Sequence, residues 1–184
     1  MKNDLNALLV KGLGKKAVMD LAEKANVDPE FYLELLHVIE NGEVTPAMKA
    51  SWVLGNAARL DSTPAQRHGW KILGLLKTAS IGGVQRELLK VLEVVKFKDN
   101  ADGEFVDYCF DLMRRPGIDV GIRYYCLRIL QRKVMQYPEL KDELMLTLEE
   151  ILDWHNQVWK KYLIKAMEKL RKKKLYTSSQ KKKG

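Results

Sequence analysis

The side chains best suited to chemistry gather around the stretch IDVGIRYYCLRIL, residues 118–130. Arg123 stands beside Tyr124, Tyr125 and Cys126, with Arg128 and Arg132 further along. Arg114 and Arg115 precede the stretch, and Trp159, Lys160, Lys161, Lys165 and Lys169 follow it, with Tyr162 interleaved. Clustered cations neutralise phosphates or carboxylates, and aromatic rings stack on bases, so the mixture marks a candidate binding surface for an acidic partner or a nucleic acid. A plainer reading puts the aromatics in a core and the cations on a solvated face.

Other motifs lead less far. Residues 12–17, GLGKKA, match a dinucleotide-binding Gly-x-Gly-x-x-Ala pattern, but that motif needs a βαβ unit and no later segment supplies parallel strands. A helix that breaks and restarts explains both glycines. His37, His68 and His155 are spread along the chain without a His-Glu-x-x-His pattern, so no metal or other cofactor is expected. Cys109 and Cys126 lack zinc-ligand spacing and are too few for a disulfide framework, which predicts buried, reduced thiols. No nucleophile elbow or Walker loop appears, and no catalytic residue is nominated.

Helices must position these residues, because helical spacing of apolar residues dominates and no strand-type alternation is sustained. Four segments begin 37 residues apart without a gap: VTPAMKASWVLGNAARL at 44, IGGVQRELLKVLEVVKF at 81, IDVGIRYYCLRILQRKV at 118 and HNQVWKKYLIKAMEKLR at 155. Their second residues, Thr45, Gly82, Asp119 and Asn156, are acceptable N-caps. Their sixth, Lys49, Arg86, Arg123 and Lys160, are all basic. An apolar stripe runs through Met48, Gln85, Ile122 and Trp159, then Trp52, Leu89, Cys126 and Leu163, then Gly55, Leu92, Ile129 and Ala166. Partner helices start near Asp28-Pro29, Thr63-Pro64 and Tyr137-Pro138, where proline suits a first turn.

The unit is thus a helix pair, repeated at about 1–26, 27–62, 63–99, 100–136 and 137–174. Together these make one domain, 1–174, followed by a basic tail, 175–184. The formal net charge of +8 belongs to the far end: residues 155–184 hold eleven Lys or Arg and one Glu, and residues 1–154 are nearly balanced. No apolar run approaches a membrane span, and the first residues make a poor secretory signal, so a cytoplasmic location is expected. The tail alone suits an acidic membrane surface.

Asp119, Ile122, Arg123, Cys126 and Leu130 resemble the second helix of a HEAT repeat, roughly Asp-x-x-Val-Arg-x-x-Ala-x-x-x-Leu. The resemblance covers residues 27–174 and implies an all-α, right-handed α-α superhelix of about five helix pairs. It also implies that the basic column ties helices together by bonding a nearby acidic or backbone group, with Asp119 a local partner for Arg123. Successive second helices, 44–60, 81–97, 118–134 and 155–171, would line a concave surface. The leading expectation is a non-enzymatic interaction module whose basic end takes an acidic protein segment or ligand. The alternative is DNA or RNA binding, at its extreme a HEAT-like alkylpurine DNA glycosylase, for which Trp154, Trp159, Tyr124, Asp119 and Asp153 are the residues to inspect.

Overall fold

The computed structural model describes residues 2–11, 13–97, 100–154 and 156–172. His155 and the tail expected at 175–184 lie outside them. Among the described residues every regular element is an α-helix. The chain divides into two compact units, Met1–Phe105 and Val106–Gly184, and the division falls inside one helix.

Unit 1 contains α1 (Lys2–Val10), α2 (Lys15–Val27), α3 (Pro29–Asn41), α4 (Val44–Leu60), α5 (Thr63–Arg67), α6 (Gly69–Thr78), α7 (Gly82–Leu92) and the start of α8 (Asn100–Arg114). α2 begins after an extended Gly14, so the second glycine of the Gly-x-Gly stretch stands at a helix start. α3 starts as its sequence predicts: the Asp28 carboxylate accepts from the Phe31 amide at 3.0 Å, with Pro29 in the first turn. Its apolar face, Phe31, Tyr32, Leu35, Leu36 and Val38, is buried.

α4 is the hub of this unit, packing on α2, α3 and α7. Small residues make that possible: Ala47, Ala50, Ser51, Gly55, Ala57 and Ala58 are all buried. A Cβ at Gly55 would lie 2.5 Å from the Glu87 carboxylate of α7, so only glycine admits this approach without a shift. Glu87 is itself held by Lys90 at 2.8 Å, both largely buried. With α4 surrounded, Met48 departs from the expected stripe and is 41% exposed, while Trp52 is half-buried under the Lys49 ammonium. The expected caps Thr45 and Gly82 are also corrected. Glu43 and Ile81 hold the extended cap positions, and Thr45 and Gly82 fall inside the helices.

The first helix of the third pair is split at His68, whose ring stacks on buried Tyr32 at 5.3 Å. Gly69 then lets the chain close on Val95, where a Cβ would come within 2.8 Å of Cγ1. α7 stops at Leu92, five residues short of the apolar segment read from the sequence. β-branched Val94 and Val95 are poor helix formers, and the Gln66 amide grips the Lys96 backbone, donating to its carbonyl at 2.9 Å and accepting from its amide at 2.8 Å.

Unit 2 contains the rest of α8, then α9 (Val120–Gln136), α10 (Leu140–Glu150) and α11 (Gln157–Lys172). Gly117, at φ +72°, takes the left-handed turn between α8 and α9 that other residues resist. Here the predicted caps hold: Asp119 accepts from the Gly121 amide at 2.6 Å and Asn156 from the Trp159 amide at 3.1 Å. The stripe holds as well, with Ile122, Cys126, Ile129, Trp159, Leu163 and Ala166 buried. Each fully buried large apolar side chain of this kind contributes about 1.5–3 kcal/mol. Pro138 lies in a turn just ahead of α10, which starts at Leu140.

Candidate functional site

Arg123, at the centre of the opening stretch, is fully buried. Its Nε donates to the Met113 carbonyl at 2.9 Å and its Nη2 to the Arg115 carbonyl at 2.6 Å. The last carbonyls of a helix have no intrahelical donor, so this guanidinium closes the end of α8 from within α9. Its far face lies over the Trp154 ring at 5.0 Å. Burial pulls the Arg123 pKa below its ordinary value, and the Cys126 thiol opposes that pull. Asp119, expected as its partner, serves as the α9 cap.

Cys109 and Cys126 are both buried free thiols. Burial pushes the Cys109 thiol well up, the neighbouring Cys126 adds to the rise, and Lys133 opposes it. A protonated, water-excluded thiol is a poor nucleophile, so this pair serves packing.

The aromatic residues do come together. Tyr125 meets Tyr124 edge-on at 5.2 Å, Tyr124 meets Tyr162 at 5.5 Å, and Tyr162 stacks on Trp159 at 5.4 Å. This row joins α9 to α11. Arg128 donates to the Tyr124 hydroxyl at 3.1 Å and lies over its ring at 5.6 Å. Trp159 is 4% exposed and belongs to the core, while Tyr124, Tyr125 and Tyr162 are half-buried.

The cations separate into groups. Arg114 is committed to α10: both terminal nitrogens donate to Glu143 at 3.2 Å, Nη2 donates to Thr147 Oγ1 at 2.6 Å, and Nε lies 3.6 Å from Glu150. Lys160 pairs with Asp153. Arg115 and Arg132 are exposed. Lys161, Lys165 and Lys169 are exposed at i, i+4 and i+8 along one face of α11, where Glu168 is the only carboxylate in the helix. Successive members of such a ladder stand about 6 Å apart along the axis.

A HEAT repeat domain model matches residues 5–175. The chain belongs to the HEAT repeat domain family. No curated protein and no solved structure matches it. As an all-α HEAT solenoid, the chain uses its basic column in different ways: Arg123 ties helices, Lys160 pairs with Asp153, Arg86 is exposed 3.7 Å from Glu87, and Lys49 covers Trp52.

The described residues of the HEAT chain form several concavities, two of which bear on binding. One, of about 390 Å³, lies in unit 2 and is lined by Gln131, Val134, Met135, Lys141, Lys169, Leu170 and Lys172. The other, of about 360 Å³, lies between α1 and α3 of unit 1, with Leu5, Leu33 and Val38 beside Glu30, Glu34 and His37. Sequence reasoning missed both, because each depends on which helix ends stand side by side. Among the described residues no cluster of His, Cys, Asp and Glu is placed to hold a metal ion, and no helix is long and apolar enough to cross a membrane.

Proposed function

We propose that this HEAT repeat chain is a protein-interaction module, and that unit 2 takes an acidic segment of a partner protein along α11 and the adjoining tyrosines of α9. The observation that carries the reading is the ladder Lys161, Lys165 and Lys169, exposed on one helix face. An ammonium row of this kind steers an acidic partner and sets its register. Half-exposed Tyr124, Tyr125 and Tyr162 add rigid amphipathic contact area, the side-chain type enriched where proteins meet.

An acidic protein segment fits better than a nucleic acid. Base stacking needs a free ring face, but Arg128 lies over Tyr124, Tyr162 adjoins it, and Trp159 is buried. Arg114 spends its charge on Glu143 and Glu150. The test is a fluorescence titration of the full chain with a labelled Glu-rich peptide, single-stranded DNA, duplex DNA and RNA, across a salt series. The peptide is expected to bind, and Lys161→Glu with Lys165→Glu to weaken it at least tenfold. Tighter binding of any nucleic acid, with a steep salt slope lost in the same variant, would overturn it.

A further inference from the structure

Beyond the ladder stand the acid-rimmed cavity of unit 1, the buried thiol pair, and the lysine-rimmed cavity of unit 2. Only the last combines a defined space, a charge sign and continuity with a surface already described. Its apolar lining comes from buried Val134 and Leu170 and from Met135, which is 52% exposed. Lys141 of α10 and Lys169 and Lys172 of α11 stand around it with Gln131, and no carboxylate lines it among the described residues. Lys169 is also the last rung of the exposed ladder, so the cavity lies about 12 Å along α11 from Lys161.

We infer that this cavity is the apolar anchor point for an acidic amphipathic helix of a partner protein. The inference rests on the acidic-segment reading above and deepens it by naming the partner's second requirement. A helix lying along α11 repeats its own i, i+4 positions at the same step of about 6 Å, so its carboxylates keep register with Lys161, Lys165 and Lys169. Its leucine-like side chains on the adjoining stripe then enter the space over Val134, Met135 and Leu170. Anchors at i, i+3 and i+4 in an apolar groove are the usual way a helix is read. Lys141 and Lys172 meet the carboxylates that flank the anchor. Charge therefore sets sign and register, and the cavity selects for an apolar residue at one end of the acidic run.

The probes are three labelled helical peptides: one of Glu, Ala and Leu with an amphipathic leucine stripe, one with Gln for Glu, and one with Ala for Leu. They are titrated into the full chain, into Met135→Glu, into Lys172→Glu and into the double variant Lys161→Glu with Lys165→Glu, each checked for folding by circular dichroism. Met135→Glu puts a carboxylate into the anchor space and is expected to weaken the leucine peptide about thirtyfold, the range of an interface hot spot. The Ala-for-Leu peptide should bind weakly and be almost indifferent to Met135→Glu. Should Met135→Glu fail to fold, the two Glu peptides on the unaltered chain give the same discrimination, the leucine peptide binding more tightly than the Ala-for-Leu peptide, while Lys172→Glu, a rim charge, should weaken both. If the ladder variant weakens the leucine peptide while Met135→Glu does not, or if the leucine and Ala-for-Leu peptides bind the unaltered chain alike, the anchor inference falls and the acidic-segment reading stands. If none of the peptides binds the unaltered chain, both fall.

Discussion

Arg123→Met isolates what the buried guanidinium does for the HEAT fold. Methionine keeps an unbranched, flexible apolar chain in the same space but removes every donor. The change leaves the Met113 and Arg115 carbonyls without the donors they now have at 2.9 and 2.6 Å. A carbonyl stranded away from water, as at Met113, costs about 1–3 kcal/mol, and the part-buried Arg115 carbonyl adds about 1 kcal/mol, a gross loss of about 2–4 kcal/mol. Loss of the contact over Trp154 adds up to about 2 kcal/mol in a desolvated setting. Relief from burying a charge works the other way and recovers part of this. The expected net destabilisation is about 2–4 kcal/mol. With a urea slope near 2 kcal/mol/M, the unfolding midpoint followed at 222 nm should fall by about 1–2 M. Arg123→Lys should recover little, because a single ammonium does not reproduce the planar fork. A loss below about 1 kcal/mol for Arg123→Met, or a gain, would refute the claim that this side chain ties α9 to the end of α8.

Three further outcomes follow from the packing. Gly55→Leu should destabilise by about 1–3 kcal/mol in urea unfolding, since even a Cβ meets the Glu87 carboxylate at 2.5 Å and the Lys90 side chain at 3.4 Å, and a neutral result would mean that the Glu87–Lys90 pair moves aside without cost. Burial, and then Arg67 and Lys71, lower the His68 pKa below its ordinary 6.5, so the unfolded chain takes up the proton first as pH falls. His68 thus contributes stability that is complete above pH 6.5 and is lost as pH drops through that value and through the lower folded value. The stability difference between the unaltered chain and His68→Phe should shrink over that window, and a flat difference would count against the shift. Cys109 and Cys126 should be inert to a thiol reagent in the native chain and reactive in denaturant, and fast native labelling would contradict their burial.

The sequence period carried the fold well where one apolar stripe decides which way a helix faces. The segments spaced 37 residues apart became α4, α7, α9 and α11, and the column of Trp52, Leu89, Cys126 and Leu163 is buried in three of its four copies, with Trp52 half-buried. It failed where another force competes. α4 packs on α1, α2, α3, α5 and α7, so alanines and glycine around its circumference are buried and the stripe through Met48 and Trp52 loses its meaning there. α7 ends early because the Gln66 amide, 30 residues away, claims the Lys96 backbone. Cap residues were legible where an Asp or Asn stood at the helix start and were missed at Thr45 and Gly82, where the helix began one or two residues away from the expected frame.

For the site, residue type gave the charge sign and the aromatic content of α9 and α11. It could not sort the cations. Arg114 and Lys161 look alike in sequence, yet Arg114 pairs with Glu143 and Glu150 and Lys161 is exposed. That difference is set by helix packing across about thirty residues of chain. The cavity over Met135 was invisible for the same reason, since α9, α10 and α11 each supply part of its lining.

The most direct test of the account is an amide NMR titration of the full chain with the acidic leucine peptide. The expected shifts map to the exposed face of α11 from Lys161 to Lys172, to Tyr124 and Tyr125, and to the residues around Met135, with the α1–α3 cavity unmoved. Shifts confined to residues 173–184, or centred on Glu30 and Glu34, would contradict the claim that unit 2 of this HEAT chain reads an acidic partner.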